Sequence, residues 1–198
     1  MVRSARSILH PRDRDVLRLI EEAWADAARP GDDNLAGSSA RCGEYAYVAE
    51  FFHDRHWRNV TLETLKEYEG PANACYCFMS DTAFRYYLPA FMRIALDEPL
   101  AGPRSEWEAS MVDVAVWALR PPRYRPEVHA LERSLESPME VTSPEATARL
   151  RAWWGRRVAG FTADQRRAIV AFLARMQERH GTTETAEALE HWAASGPG

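Results

Sequence analysis

Glu50, His53 and His56 recur at intervals of three in the stretch EFFHDRHW. Residues three apart share a helix face, so these groups could approach one metal ion and support metal-assisted hydrolysis. The pattern is not the H-E-x-x-H of zinc hydrolases, because no glutamate follows the first histidine and the histidines are three apart rather than four. Steps of three also drift around a 3.6-residue helix, which strains a site made of all three. Cys42, Cys75 and Cys77 could complete it only if the fold brings them there. Surface histidines beside a carboxylate are the commoner finding.

PGDDN (30–34) offers a second chemistry. Asp32, Asp33 and Asn34 in a tight loop can coordinate a hard cation or accept hydrogen bonds from arginine. A calcium loop needs carboxylates at alternating positions and a downstream glutamate, which this stretch lacks. Asx-turn capping explains the same residues and is their more frequent use.

FRYYLPAF (84–91) combines donors with a break. Pro89 cannot donate to the carbonyl of Arg85 and its ring crowds that carbonyl, so the helix is expected to bend or restart there. The freed carbonyl needs a donor, and Arg85, Tyr86 and Tyr87 bring donors close by. Kinks are mostly packing solutions, with the tyrosines half-buried; the alternative is a binding surface, for which tyrosine's apolar body and polar tip are suited.

RPPRYR (120–125) and RLRAWWGRR (149–157) interleave arginine with Tyr124, Trp153 and Trp154, as a phosphate-and-stacking surface would. Against nucleic acid stand a net charge of −4 and the absence of a nucleic-acid motif. Lys66 is the sole lysine among 25 basic residues, so arginine is the default cation of this chain and each one is a weaker clue. No G-x-S-x-G elbow, phosphate-cradling glycine loop or dinucleotide fingerprint occurs, and no cofactor is implied. Ser38 and Ser39 lie in a loop with no histidine beside them in sequence.

These candidates must be positioned by a chain of 198 residues, enough for one domain with a proper core. Residues 13–54 carry ten acidic side chains against four arginines, and residues 120–157 eight arginines against five glutamates. Such segregation can steer a charged partner. The odd count of three cysteines argues for reduced thiols. No apolar run approaches a membrane span and the N-terminus lacks an apolar signal core, so a cytoplasmic location is expected.

The periodicity is helical throughout. Pro11 opens a helix striped by Val16, Leu17, Ile20, Ala23, Trp24 and Ala27. A second helix turns Tyr45, Val48, Ala49 and Phe52 inward, and Thr61 caps a short third with Leu62, Leu65 and Tyr68 inside. GPANACYCFMSD reads as a non-helical apolar segment. Ser80 or Asp81 then caps a helix to about Asp97. Residues 105–119 are apolar nearly all round and belong at the centre of a bundle. A modest amphipathic piece with Val128, Leu131 and Leu135 follows. Ser143, Pro144 and Glu145 start another helix. Thr162 and Gln165 form a capping box, Gly181 stops that helix, and a last one carries Leu189 and Trp192. The expected fold is an all-α, single-domain irregular bundle of seven or eight helices with a Pro-kinked central helix. Residues 1–10 form a polar leader and 194–198 a loose tail.

PGDDN, a helix ending in HW followed by TLETL, FMSDTAFRYYLPAF and the late FTADQRRAIVAFL stand in an order that resembles a family of small bacterial helical proteins of unknown function. The resemblance spans roughly residues 15–97 and 160–192 and leaves the Pro/Arg-rich region 120–145 as an elaboration. It implies a helical fold and supplies no catalytic residues. Members often carry extra cysteines near the start of the second helix, where only Cys42 stands here, so a metal role does not carry over.

The reading that best accommodates these features is a non-enzymatic helical protein that binds another protein, with an accessory or toxin-neutralising role suited to a small acidic chain. Its candidate binding residues are Asp32, Asp33, Asn34, Arg85, Tyr86 and Tyr87. The competing reading is a metal-assisted hydrolase using His53, His56 and a carboxylate among Glu50, Asp32 and Asp33.

Overall fold

A computed structural model of the chain describes residues 10–37, 43–68, 74–97, 106–124, 140–141 and 143–194. Among these the fold is all-α. It comprises α1 (Pro11–Ala23), α2 (Gly43–Phe52), α3 (Leu62–Leu65), α4 (Ala74–Phe78), α5 (Asp81–Asp97), α6 (Glu106–Leu119), α7 (Pro144–Ala159), α8 (Ala163–His180) and α9 (Thr183–Ala194). Single 3-10 turns at Asp32–Asn34 and Trp57–Asn59 flank α2. No described helix is long and apolar enough to cross a membrane.

The helix starts follow local chemistry. Pro11 and Pro144 take first-turn positions, where a missing N–H costs nothing. The Ser80 hydroxyl accepts from the Ala83 N–H at the head of α5. Thr162 and Gln165 exchange hydrogen bonds as a capping box, and Gly181 closes α8 at φ 62°, a left-handed conformation that glycine adopts without strain.

Helix α5 is the axis of the bundle, packing against α1, α6 and α7, while α8 packs on α1 and α9. Phe84, Leu88, Phe91, Met92 and Ala95 of α5 are buried, with Val112, Val114, Ala115, Val116 and Leu119 of α6 against them. From Val112 to Leu119, apart from the exposed Asp113, the apolar character of α6 thus matches its packing against α5 and α9. The Trp192 indole donates to the Leu119 carbonyl (2.7 Å) and Trp154 to that of Ala118 (3.2 Å), so two aromatic anchors also serve the open C-terminal end of α6.

Three expectations change. GPANACYCFMSD is in part helical: residues 74–78 form α4, whose Phe78 ring meets Tyr45 of α2 edge-on at 5.0 Å. Five residues are too few to show a helical period. The non-helical character survives one residue later, where Met79 bridges Ala36. The helix does not restart at Pro89, since α5 runs unbroken from Asp81 to Asp97 with the proline inside it. The tyrosines are not half-buried, with Tyr86 3% and Tyr87 0% exposed.

The described ends of region 120–145 meet: Arg123–Tyr124 (β1) and Glu140–Val141 (β2) pair in parallel over two residues each. Val128, Leu131 and Leu135, the leader 1–9, Ser38, Ser39, Cys42 and the tail 195–198 lie outside the described residues, as do the side chains of Tyr124, Trp107 and Met111.

Candidate functional site

The Arg85 carbonyl freed by Pro89 has a partner. It is not one of the adjacent donors in FRYYLPAF but the indole Nε1–H of Trp24, at 2.8 Å, from the end of α1. Trp24 is fully buried, so its own N–H also requires an acceptor, and one hydrogen bond satisfies both groups. The proline therefore ties α1 to α5 without opening a site.

PGDDN lies beside the same helix. The Ser80 hydroxyl donates to the Asn34 carbonyl (2.6 Å), Ser80 N–H to Leu35 (3.1 Å) and Gly37 N–H to Phe78 (2.8 Å). The Asn34 amide donates to the Thr82 hydroxyl at 2.9 Å. On its other side the loop holds a clasp. Arg29, just before PGDDN, donates to Asp32, to the Arg55 carbonyl (3.1 Å) and to the Phe52 carbonyl (3.3 Å). The Tyr87 hydroxyl donates to Arg55 (2.7 Å) and lies 3.2 Å from Phe52. Arg29 and Tyr87 thereby serve the last carbonyl of α2, at Phe52, and the Arg55 carbonyl in the turn that follows it. The Arg29 hydrogen bond holds the Asp32 carboxyl below its ordinary range and raises the guanidinium in turn, while burial pushes the Tyr87 hydroxyl up to about 12.

The proposed metal pair separates. His53 faces two carboxylates, Nε2 3.6 Å from Asp32 and Nδ1 3.1 Å from Asp54. Asp32, His53 and Asp54 place ligand atoms within 4.8 Å of one another. His56 points elsewhere: its Nδ1 accepts from the Arg58 N–H (3.1 Å) and its ring meets the Tyr86 ring edge-on at 5.7 Å. The 3.6-residue period and the end of α2 at Phe52 account for the divergence. Glu50 is exposed and belongs to neither group. Of the cysteines, Cys75 is buried and its thiol pushed to about 12 by burial, and burial raises Cys77 as well, so neither is a ready thiolate.

Region 149–157 divides: Arg157 is buried within the fold, while Arg149, Arg151 and Arg156 are exposed. Arg157 is 1% exposed and donates to the carbonyls of Tyr76 (2.7 Å) and Met79 (3.0 Å), with its guanidinium 4.3 Å from the Phe84 ring centre and 4.5 Å from that of Trp153. Burial lowers its pKa to about 10. Arg151 donates to Pro122, Arg123 pairs with Glu187, and Trp154 is buried.

One cleft gathers the remaining candidates. It has a volume of about 380 Å³ and is lined by Arg85, Tyr86, Asn34, Thr82, Gly160, Thr162 and Gln165, by Arg29, which it shares with the clasp, and on an apolar side by Ala27 and Ala28 over the buried Trp24 and Pro30. Arg85 spans its wall: Nη1 donates to the Arg157 carbonyl at 3.0 Å, and the guanidinium lies against Gly160 so closely that a Cβ there would stand 2.8 Å from Nε. Asp32 and Asp33 do not line it, so five of the six candidate residues divide between clasp and cleft, and Asp33, exposed at the loop surface, belongs to neither. Trp24, Arg29, Gly160, Thr162 and Gln165 were not singled out from sequence as site residues. The neighbour of PGDDN could have marked Arg29, and the glycine between two helices could have marked Gly160. Nothing local marks Trp24.

A family model matches residues 12–195, nearly the whole chain. The chain belongs to the family of unknown function DUF6714. The DUF6714 match extends through 120–145, the region set apart as an elaboration from sequence. No curated protein and no solved structure matches this DUF6714 chain.

Proposed function

We propose that this chain is a non-catalytic accessory module that binds another protein through the Arg85 cleft. The observation that carries the reading is the chemistry of the lining. Hydrogen-bond donors and hydroxyls adjoin an apolar side, and no carboxylate, histidine or cysteine among the described residues borders the cleft. Those groups suit holding a ligand in one orientation, whereas proton transfer or nucleophilic attack needs a base or nucleophile within reach. Mass photometry of the purified chain with the products of adjoining genes tests the reading. A stoichiometric complex that Arg85→Gln abolishes is expected; failure of every neighbouring product to bind removes it.

A metal-assisted hydrolase remains the competing reading because Asp32, His53 and Asp54 stand together. It weighs less because Asp32 is engaged by Arg29 and by the Asp54 N–H (3.3 Å), and because both imidazole nitrogens of His53 already face carboxylates. Stoichiometric zinc, iron or manganese in the purified protein, lost in His53→Ala, would favour it over the binding module.

A further inference from the structure

We propose that the Arg85 cleft captures the free C-terminal carboxylate of a partner chain and seats that chain's last side chain against Ala27 and Ala28, the accessible part of its apolar side. The inference rests on the reading of the cleft as a docking site and names the chemical group that docks.

Three observations point to an anion. Arg85 meets no carboxylate among the described residues, and no acidic side chain lines the cleft, although the chain as a whole carries a net charge of −4. A partly buried guanidinium without a counter-charge is a poor way to stabilise a fold and a good way to receive a carboxylate. Its orientation is fixed in advance, because the Arg157 carbonyl holds Nη1 and Gly160 leaves room for the plane to lie flat. A preset fork loses little freedom on binding, the main cost that bidentate recognition must offset. The rest of the rim is polar and near helix starts: Thr82 in the first turn of α5, and Thr162 with Gln165 at the head of the 18-residue α8. The acidic residue of that α8 turn, Asp164, is exposed and paired with Arg167, and it does not line the cleft.

The apolar side distinguishes a chain terminus from an acidic side chain. In a terminal carboxylate the last residue's Cα is bonded directly to the carboxyl carbon, so donor and apolar contacts must be adjacent. They are adjacent here, since Ala27 and Ala28 line the same cleft as Arg85. A glutamate arrives on a flexible stem with backbone amides behind it and has no use for an apolar surface beside its head. Asn34, whose amide nitrogen is committed to Thr82, keeps its oxygen as an acceptor for the terminal residue's N–H. The volume suits one or two residues and is at the lower end for small-ligand sites.

The test is an NMR titration of the ¹⁵N-labelled full chain, reading backbone amides and the Arg85 Nε–H. The probes are N-acetyl-alanyl-alanine, the same dipeptide as its C-terminal amide, N-acetyl-aspartic acid α-amide, and sodium acetate. The free-acid dipeptide is expected to give saturable shifts at Arg85, Gly160, Thr82 and Gln165, binding at least tenfold tighter than its amide and than the other two probes. Arg85→Gln and Gly160→Ala each weaken it at least tenfold. Equal binding of acid and amide overturns the proposal, as do shifts confined to other residues. A match by the aspartate probe or by acetate overturns the terminal assignment. The acid–amide comparison on the unmodified chain decides the matter even where a variant fails to fold. A neighbouring gene product that binds while the dipeptide does not removes the carboxylate assignment alone. Dipeptide binding with no protein complex removes the protein-binding reading alone.

Discussion

Arg85 and Tyr87 lie two residues apart on α5, yet the clasp that Tyr87 joins is closed and the cleft that Arg85 borders is open. In the clasp every strong group has its complement: Arg29 meets Asp32 and two carbonyls, and Tyr87 meets the same two carbonyls. In the cleft the guanidinium spends one arm on Arg157 and lines an empty volume with the rest. Both use an arginine and a tyrosine, the tyrosines being neighbours on one motif, so residue type does not separate structural from functional roles here. What separates them is whether charge and hydrogen-bonding capacity are used up inside the fold. If the distinction is right, damage to the clasp lowers stability and damage to the cleft lowers binding.

The largest effect is expected from Arg29→Ala. It removes the donor to Phe52, Arg55 and Asp32 at once and leaves part-buried acceptors behind. At about 1.5–3 kcal/mol for a hydrogen bond to a charged group, discounted for its partial exposure, a loss of about 2–3 kcal/mol follows. That corresponds to a fall in Tm of about 4–12 °C for a chain of this size. Arg85→Gln, measured beside it, should cost under about 1 kcal/mol because it forfeits a single carbonyl contact. Equal losses in the two variants would erase the comparison.

Trp24→Phe comes next and probes the seam between the two regions. Phenylalanine keeps most of the ring but orphans the Arg85 carbonyl, which the α5 ladder cannot reclaim because Pro89 lacks an N–H. An unsatisfied buried acceptor costs about 1–3 kcal/mol. Adding Pro89→Ala should restore part of that, since the carbonyl regains a helical donor; denaturant midpoints of the single and double variants read the coupling. No recovery in the double variant would mean the indole bond matters only as packing.

Tyr87→Phe is the milder cut at the clasp, expected at about 0.5–1.5 kcal/mol, because Arg29 still serves the Phe52 and Arg55 carbonyls. Combined with Arg29→Ala the loss should exceed the sum of the single variants, as both donors share acceptors. Strict additivity would show that they act separately.

How much of this was legible in the sequence depends on range. The capping box at Thr162 and Gln165 and the Ser143–Pro144 start are written in four adjacent residues and appear as read. The demand of the Arg85 carbonyl was equally local, but its supplier stands 61 positions away in sequence, and no period links Trp24 to Pro89. Residues 74–78 escaped notice as a helix because one turn of apolar residues looks the same in any conformation. The arginines defeated sequence reasoning most fully: Arg157 is buried and committed, while its neighbour Arg156 is exposed, and among two dozen arginines nothing local tells them apart. The division of PGDDN between clasp and cleft, Asp32 to one and Asn34 to the other, follows from the single 3-10 turn that spreads adjacent side chains around the loop.

The smallest effect is a pH dependence that should touch one side of the comparison only. His56 packs its ring edge-on against Tyr86, and burial, aided by Arg58 and Arg29, holds the imidazole below the ordinary histidine range. The unfolded chain therefore takes up this proton first, near pH 6.5. Between that value and the lower folded one the unfolded state binds more protons, so stability rises with pH through this window. The contribution is complete above about pH 6.5 and is lost as the pH falls through the folded value. The Asp32 carboxyl is depressed in the folded state too, but its contribution is present above the ordinary carboxylate range and disappears only in strong acid. From pH 7.5 to 5.5 the Arg29–Asp32 pair should accordingly stay charged while the Tyr86 side weakens. Burial also lowers His191, so the clean measurement is denaturant midpoints across that range in a His191→Gln background. There His56→Asn, which keeps a side-chain acceptor for the Arg58 N–H, should flatten the remaining slope. A slope unchanged by that substitution would place the titrating group elsewhere and detach His56 from the cleft wall it supports.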